Sequence, residues 1–358
     1  MLTNAVPKAQ LLSLLRRMSQ VIPSSSPKEI LTKVKLVFRE EQIQLHGTDM
    51  NQYLKLIAKC NNPNPGVAIV DYNNFRTIIS KMTGDTVYIS LENDVVVLKD
   101  DRSEFELGTF TNISEFPAEN IIDSDRTFEM DINELVLSLD KVQHCMDKEA
   151  TRYALTSVSI AGTEGGILQI TATDGRRISI CMLPDIVSQE FSLLIPHDTV
   201  KAIGSIMDGV KGKCQVIYTE SSFGIEAEDL TFTCRQTEGR YPKLDTFVQS
   251  FRDAEYHAID LPSLRTIASQ GMVVSDPEAM GIVLSLDGEK MTVTHETVKA
   301  KYKATVPIDH PAEKVQVNCQ YLHQALAVCK EVQISVAGQK LIIKRDNTTY
   351  DMIMGMAR

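Results

Sequence analysis

The sequence predicts an α+β fold in which helices cover one face of antiparallel sheets, in units repeated along the chain. Three observations predict it. Six segments of helical periodicity begin near Lys8, Tyr72, Asp131, Pro196, Asp260 and Asn318, at steps of about 60 residues. Short alternating runs typical of strands fill the intervals. The motif QLHGTD (Gln44 to Asp49) returns as QITATD (Gln169 to Asp174), and TVTHE (Thr292 to Glu296) resembles both. That second period is roughly 120 to 125 residues, or two helical units. The chain therefore reads as three tandem, pseudo-equivalent domains, each with two helices and several strands. They are expected at 1–124, 125–249 and 250–358, with boundaries in two polar, aperiodic stretches, Asp123-Ser124-Asp125 and Gln249-Ser250-Phe251.

Each element follows from local pattern. KAQLLSLLRRMSQ, from Lys8, is the first amphipathic helix, and VKLVFREEQIQLHGTD and YLKLIAKC after it alternate as strands. YNNFRTIISKM is the second helix; the strands after it turn at Asn93-Asp94. DINELVLSLDKVQHCM starts at an N-cap aspartate, Asp131, and is followed by the strand VSIAGTEGGILQITATD. PHDTVKAIGSIM, with strands from CQVIY onward, is the fourth unit. DLPSLRTIASQGM is capped by Asp260, and its strands are expected to turn at Asp287-Gly288. NCQYLHQALAVCK begins at Asn318, with a turn at Gly338 downstream. One helix per 60 residues or so covers one sheet face, and the copies form an open arc or, if doubled, a closed ring.

The hairpin TATDGRRISICMLP (Thr171 to Pro184) carries two arginines at its turn. A two-residue Asp174-Gly175 loop would set Ala172 opposite Arg177, an apolar side chain facing a charged one. An odd loop pairs Ala172 with Ile178 and Ile170 with Ile180, so a three- or five-residue turn, or an equivalent bulge, is expected. From the residues alone, Arg176 and Arg177 read as charges on a solvated turn.

With 358 residues, 43 % hydrophobic and 23 % charged, the chain is ordinary globular material. It shows no apolar run of about 18 residues, so no membrane helix is expected. The N-terminus lacks a signal-peptide layout, and a cytoplasmic protein is expected. Seven cysteines without CxxC spacing suggest buried, reduced thiols and no metal site. A net charge of −10 argues against broad phosphate affinity, though not against a protein that segregates its charges. No phosphate-cradling glycine loop is present, and no cofactor is expected. Asp174 and Asp100-Asp101 are the carboxylates open to a hydrolase reading.

TATDGRRISICMLP, LHGTD at Leu45 to Asp49, TRYAL at Thr151 to Leu155, EGRYP at Glu238 to Pro242 and the C-terminal Met-x-Met occur in an order that resembles the bacterial sliding clamp family, the β subunit of DNA polymerase III. The resemblance spans the whole chain. It implies the DNA-clamp fold and a head-to-tail homodimeric ring around duplex DNA. That ring tethers DNA polymerase and other clamp-binding-motif proteins without catalytic activity, is opened by an ATP-dependent loader, and is nucleoid-associated. It implies a partner-peptide groove at Arg152, Leu155, Thr173, Gly175, Arg176, Arg177 and Ile178, completed by Pro242, Phe247, Asn318, Tyr321, Met354 and Met356. The chemistry suits varied peptides: methionines adapt, and arginine stems add apolar wall.

Arg16, Arg17, Lys81, Lys148, Tyr153 and Lys201 are the expected DNA-facing residues; the same charges also fit solvated helix faces. Phe105 and Leu107 on one side, with Met272 and Val273 on the other, are the expected dimer contacts; ordinary core packing is the alternative. Several positions depart from the family pattern: Lys243-Leu244-Asp245-Thr246 after GRYP, Gly355 between the methionines, Ser24-Ser25-Ser26-Pro27, and Ala279. These fit a divergent, phage-borne or accessory member. Two further readings are a clamp-like scaffold that binds partners without encircling DNA, and a carboxylate-dependent hydrolase.

Overall fold

The computed structural model describes residues 5–60, 65–148, 153–275, 280–297, 300–327 and 329–356. Among them are seven α-helices: α1 (Lys8–Met18), α2 (Tyr72–Lys81), α3 (Ile132–Val142), α4 (His197–Ile206), α5 (Asp245–Asp253), α6 (Leu261–Val274) and α7 (Cys319–Leu326). The six expected helices each start at the anticipated residue or the one after it. Caps explain the accuracy. Asp131 Oδ1 accepts from the amides of Asn133 and Glu134 at 2.8 and 3.2 Å. Asp260 accepts from Ser263 N at 2.8 Å, and Asn318 from Gln320 N and Tyr321 N at 2.9 and 3.3 Å. Each such cap stabilises its helix by about 1 kcal/mol.

Helix α5 departs from expectation. Gln249, Ser250 and Phe251 lie inside it rather than in an aperiodic linker. Leu244, Phe247, Val248 and Phe251 recur at i, i+3, i+4 and i+7, and all four belong to one apolar cluster.

The described chain divides into two compact units, one of residues 1–136 and 198–236, the other of residues 137–197 and 237–358. The first contains an eight-stranded antiparallel sheet whose spatial order is Gly66–Asp71, Lys33–Arg39, Gln42–Thr48, Gln52–Lys59, Leu230–Arg235, Ser222–Ala227, Lys213–Tyr218 and Thr127–Asp131. Four of these strands come from before residue 124 and four from after it. Helices α1 and α2 pack on this sheet and on each other. They bury Leu11, Leu14, Leu15, Met18, Phe75 and Ile79, and Tyr72 Oη donates to Leu15 O at 2.6 Å. A smaller sheet of Ala5–Pro7, Thr86–Glu92, Val95–Lys99 and Glu104–Gly108 completes the unit. Its central hairpin turns at Asn93 and Asp94, both at positive φ (48° and 62°), as expected.

The second unit repeats the plan. Its sheet runs Phe191–Pro196, Ser157–Gly162, Leu168–Thr173, Arg177–Leu183, Thr349–Met354, Lys340–Lys344, Gln333–Ala337 and His257–Ala258. In both sheets, two four-stranded halves join through one central ladder. That ladder is Gln52–Lys59 with Leu230–Arg235 in the first unit and Arg177–Leu183 with Thr349–Met354 in the second. Helices α6 and α7 pack together over a long hairpin, Gly281–Glu296 with Lys301–Asn318. Here a second expectation fails. Asp287-Gly288 is not a turn but an irregularity inside one continuous strand. Gly288 takes φ +102°, which glycine adopts readily, and the strand resumes beyond it. Gly338, by contrast, does sit at its expected turn, with φ +58°.

A buried ion pair anchors the central ladder of the second unit. Arg345 and Asp351 are 5 % and 1 % exposed, and Arg345 Nε lies 2.6 Å from Asp351 Oδ2. Arg345 Nη2 also donates to Lys141 O at the end of α3 and to Ser179 Oγ, at 2.7 and 2.8 Å. His144 Nε2 stands 3.4 Å from Asp351 Oδ1. Burial alone would raise the Asp351 pKa; Arg345, His144 and Ser179 outweigh it and hold the carboxyl below its ordinary value. At Asp346, Lys141 and Thr348 likewise outweigh burial and hold the carboxyl at about 2.

Both folded-state pKa values are depressed. Their stabilisation is therefore complete above about pH 4 and is lost as pH falls through the folded values. Urea unfolding should show Asp351→Asn destabilised by about 3–5 kcal/mol at pH 7, because Arg345 is left buried without its counter-charge. The gap between variant and parent should narrow as pH falls below about 4 and the Asp351 carboxylate is protonated.

Candidate partner-binding groove

The Thr171-to-Pro184 hairpin turns through four residues, Asp174 to Arg177. Thr173 pairs with Ile178, Ala172 with Ser179 and Ile170 with Cys181. This corrects the expected odd-loop register. The expectation assumed one dry face and one wet face. Here both faces are covered: Thr171, Ala172, Ser179 and Ile180 are all fully buried. Apolar alternation then no longer fixes register, and the turn decides it.

The turn is organised by one side chain. Asp174 Oδ1 accepts from the amides of Arg176 and Arg177 at 2.9 and 3.0 Å. Its Oδ2 accepts from Arg177 Nε at 2.9 Å. Thr173 Oγ1 donates to Arg177 O and accepts from Gly175 N, at 2.6 and 3.1 Å, and Gly175 takes φ +84°. The first unit builds the same turn at Thr48 to Gln52. Asp49 Oδ1 accepts from Asn51 N and Gln52 N at 2.8 and 2.6 Å, and Thr48 Oγ1 donates to Gln52 O at 2.7 Å. The sequence echo is thus a repeated turn chemistry.

The two arginines have different fates. Arg177 is buried: its guanidinium lies 4.1 Å from the Tyr321 ring centroid, and Nη1 donates to Gln324 Oε1 at 2.5 Å. Arg176 is exposed. Ile178 packs in one apolar cluster with Met352 and Leu244, against which the half-buried Phe247, Tyr241 and Met354 lie. Three successive amides fix the end of the described chain. Met354 N donates to Arg176 O at 2.9 Å, Gly355 N to Gln339 O at 2.6 Å, and Met356 N to Gln316 O at 2.8 Å. Met356 borders a cavity of about 520 Å3, also lined by Val283, Lys314, Val315, Gln316 and Gln339.

Thr173, Gly175, Arg176, Arg177, Ile178, Phe247, Met354, Asn318 and Tyr321 are therefore joined by direct bonds or shared packing, Asn318 as the cap of the helix bearing Tyr321. Leu155 is buried and Pro242 exposed. Arg152 lies outside the described residues, as does Ala279. Sequence reasoning missed Tyr241, Gln324 and Met352. It also read Asp174 as a plain turn residue or a candidate catalytic carboxylate.

Of the three carboxylates of the hydrolase reading, Asp174 and Asp100 are occupied and Asp101 is exposed. Asp174 spends both oxygens on its turn. Asp100 accepts from the amides of Thr83, Gly84, Arg102 and Ser103 at 2.7 to 3.0 Å, and these bonds hold it far below the ordinary aspartate pKa. Among the described residues, one set of potential metal-ligating atoms converges, at His144, Cys145 and Asp351. Asp351 is already paired with Arg345, and burial drives the Cys145 thiol pKa well up, so the set is an ion-pair network rather than a metal centre. All seven cysteines are free, and six of them are buried.

Among the expected DNA-facing residues, Lys81, Lys148 and Lys201 are exposed, and Tyr153 is 76 % exposed. Arg16 forms an ion pair with Asp208, and Arg17 donates to Asp208 O at 2.7 Å. Of the expected dimer contacts, Val273 is 84 % exposed, but Leu107 is only 7 % exposed. Leu107 pairs across the sheet with the fully buried Val96 and faces its own unit, whereas Phe105, opposite Leu98, is 36 % exposed. Met272, on α6, is partly buried against the core of its own unit. No helix of the described residues is long and apolar enough to cross a membrane.

Comparison with known proteins gives a consistent result. Family models for the DNA polymerase III beta subunit match twice, the N-terminal domain over residues 3–120 and the central domain over residues 129–243. The beta sliding clamp of Pseudomonas putida is 20 % identical over 351 residues, covering 96 % of this chain and 94 % of its own. That of Escherichia coli is 23 % identical over 295 residues, covering 81 % and 79 %. The DnaN sliding clamp of Pseudomonas aeruginosa, in a crystal structure with griselimycin, superposes with a TM-score of 0.89 at 20 % identity over 99 % of both chains. The DNA polymerase beta subunit of Streptococcus pyogenes gives 0.90 at 17 % identity, also over 99 % of both.

Replacing Asp174 by alanine removes two amide caps and the Arg177 contact. Hydrogen exchange should show the Arg176 and Arg177 amides exchanging faster, and unfolding should show a loss of about 2 kcal/mol, since hydrogen bonds to a charged group are worth roughly 1.5–3 kcal/mol.

Proposed function

The chain belongs to the DNA polymerase III β-subunit family, and from that membership we propose that it is a DNA sliding clamp. Two copies close head to tail into a ring around duplex DNA, and a groove near the Thr171-to-Pro184 hairpin tethers DNA polymerase and other partners by short peptides. The single observation that carries this reading is the match of two consecutive domain models of one family, with relatives aligned over almost the whole chain. The three-domain division at 1–124, 125–249 and 250–358 belongs to the same proposal. It is supported by the repeated sheet order and the repeated Thr-Asp turn.

For the groove, the support is chemical. Phe247 and Met354, half-buried over Ile178, offer a partly exposed apolar floor, and methionine shape adapts to different anchors. The buried stack of Arg177 on Tyr321 gives one wall a fixed form, while Arg176 stands free at the rim. A peptide held by a few anchors over such a site binds and exchanges readily, as a shared tether requires. For ring closure, Glu104–Gly108 is the edge strand of its sheet, with unpaired backbone groups along one side. Val273 is the exposed apolar partner candidate. An ATP-driven loader, nucleoid association and the absence of catalysis complete the proposal as the family implies them.

Topology, rather than affinity, would hold a ring on DNA. The protein should be retained on nicked circular DNA after loading and lost when the circle is cut. Retention unchanged by linearisation would replace the ring with a scaffold that binds partners without encircling DNA. Val273→Asp should convert the dimer to a monomer in analytical ultracentrifugation at unchanged thermal stability; a dimer persisting would move the interface elsewhere. A polymerase-derived clamp-binding peptide should lose at least about tenfold in affinity for Arg176→Ala with Met354→Ala, roughly 1.4 kcal/mol or more. Parent-like binding would remove the groove assignment.

A further inference from the structure

Helix α1 carries Lys8, Arg16 and Arg17 and no acidic residue. Its two arginines lie in the last turn, where the helix carbonyls favour cations. Yet neither points freely to solvent. Arg16 is paired with the Asp208 carboxylate, and Arg17 Nη2 donates to the Asp208 carbonyl at 2.7 Å. Arg17 Nε is buried without a hydrogen-bond partner. Asp208 lies two residues past the end of α4 and just before Gly209, which takes φ +77°. That is an awkward place for a carboxylate, because the C-terminal end of a helix repels negative charge. The two arginines compensate for it. Arg16 and Asp208 remain 60 % and 56 % exposed, so water and solutes reach both partners.

We propose that Asp208 is a built-in competitor for phosphate at Arg16 and Arg17, setting how strongly this surface grips the nucleic-acid backbone. The inference rests on the reading of those arginines as DNA-facing. A phosphate oxygen and an aspartate oxygen seek the same guanidinium donors. In the free protein the carboxylate occupies the Arg16 donors and its charge acts on the neighbouring Arg17; it must be displaced for a phosphate to bind and then repels that phosphate from close range. Two arginines therefore act with the strength of roughly one cation. An exposed ion pair is weak enough to be exchanged rather than locked. For a clamp the outcome is sensible: contacts to passing phosphates form and release as the protein moves, and none is held long enough to arrest it.

The test is duplex binding by the full-length protein, measured by fluorescence anisotropy on a linear, sequence-neutral duplex from 50 to 200 mM salt. Four proteins are compared: parent, Asp208→Asn, Arg16→Ala with Arg17→Ala, and the triple variant. Asp208→Asn leaves the backbone carbonyl that holds Arg17 and removes only the charge. It should bind more tightly, with a log-affinity against log-salt slope steeper by about 0.9, the increment of one added phosphate contact. The gain should shrink about threefold between 50 and 200 mM salt. It should vanish in the triple variant, while the double arginine variant binds more weakly than the parent. If the arginine variant binds less but Asp208→Asn matches the parent, the competition is overturned and the DNA-facing reading survives. If the arginine variant binds like the parent, the DNA-facing reading fails and the inference with it. A gain that persists in the triple variant assigns the effect to overall charge and overturns the proposal.

Discussion

The molecule depends on two central ladders, at each of which one four-stranded half of a sheet bonds to another. Neither half is self-sufficient. A four-stranded sheet with two open edges offers unpaired amides and carbonyls that invite uncontrolled pairing. Joining two of them removes one edge from each, with five paired positions along Leu56 to Gln52 in the first unit and five along Arg177 to Cys181 in the second. The compact units therefore cut across the proposed domain of residues 125–249, since each central ladder joins a strand of that stretch to one outside it.

The second ladder also sets the geometry of the candidate groove. Arg177 begins one of its strands and Met354 ends the other, so the turn led by Asp174 and the terminal methionines meet because the ladder aligns them. Below them, the pairing of Arg345 with Asp351 ties the same strand to the end of α3. A buried ion pair is weak evidence for net stability, since desolvation offsets much of its attraction. Its value here is positional: moving the Thr349–Met354 strand by one residue would bury two charges without partners.

Much of this was legible in the sequence, and the misses share a cause. Helix starts could be read because Asp131, Asp260 and Asn318 advertise caps whose chemistry is local. The repeat could be read because Thr-Asp turns recur with the same bonds. The register of the TATDGRR hairpin could not, because a doubly covered sheet leaves no polar face to reveal it. Asp287-Gly288 looked like a turn because the pair is a strong local signal; the continuation of the strand depends on a partner far along the chain. The alternation around Leu107 fits a dimer contact and core packing equally, and what decides its burial is Val96 opposite. Helix α5 was different. Its signal lay in plain view at Leu244, Phe247, Val248 and Phe251, and the polar residues between them obscured it. Of the groove, the residue types were readable, but the division of labour between Arg176 and Arg177 came only with Tyr321 and Gln324 in place.

The free thiols acquire a use from where they fall. Cys234 sits on one central ladder opposite Gln52, and Cys181 on the other opposite Thr349. Both are fully enclosed, so neither sulfur can be reached while its ladder is shut, and burial pushes the Cys234 thiol up to about 12. Each junction thus contains its own native chemical gauge. Alkylation at one sulfur or the other would report which of the two seams had parted, without any label being introduced.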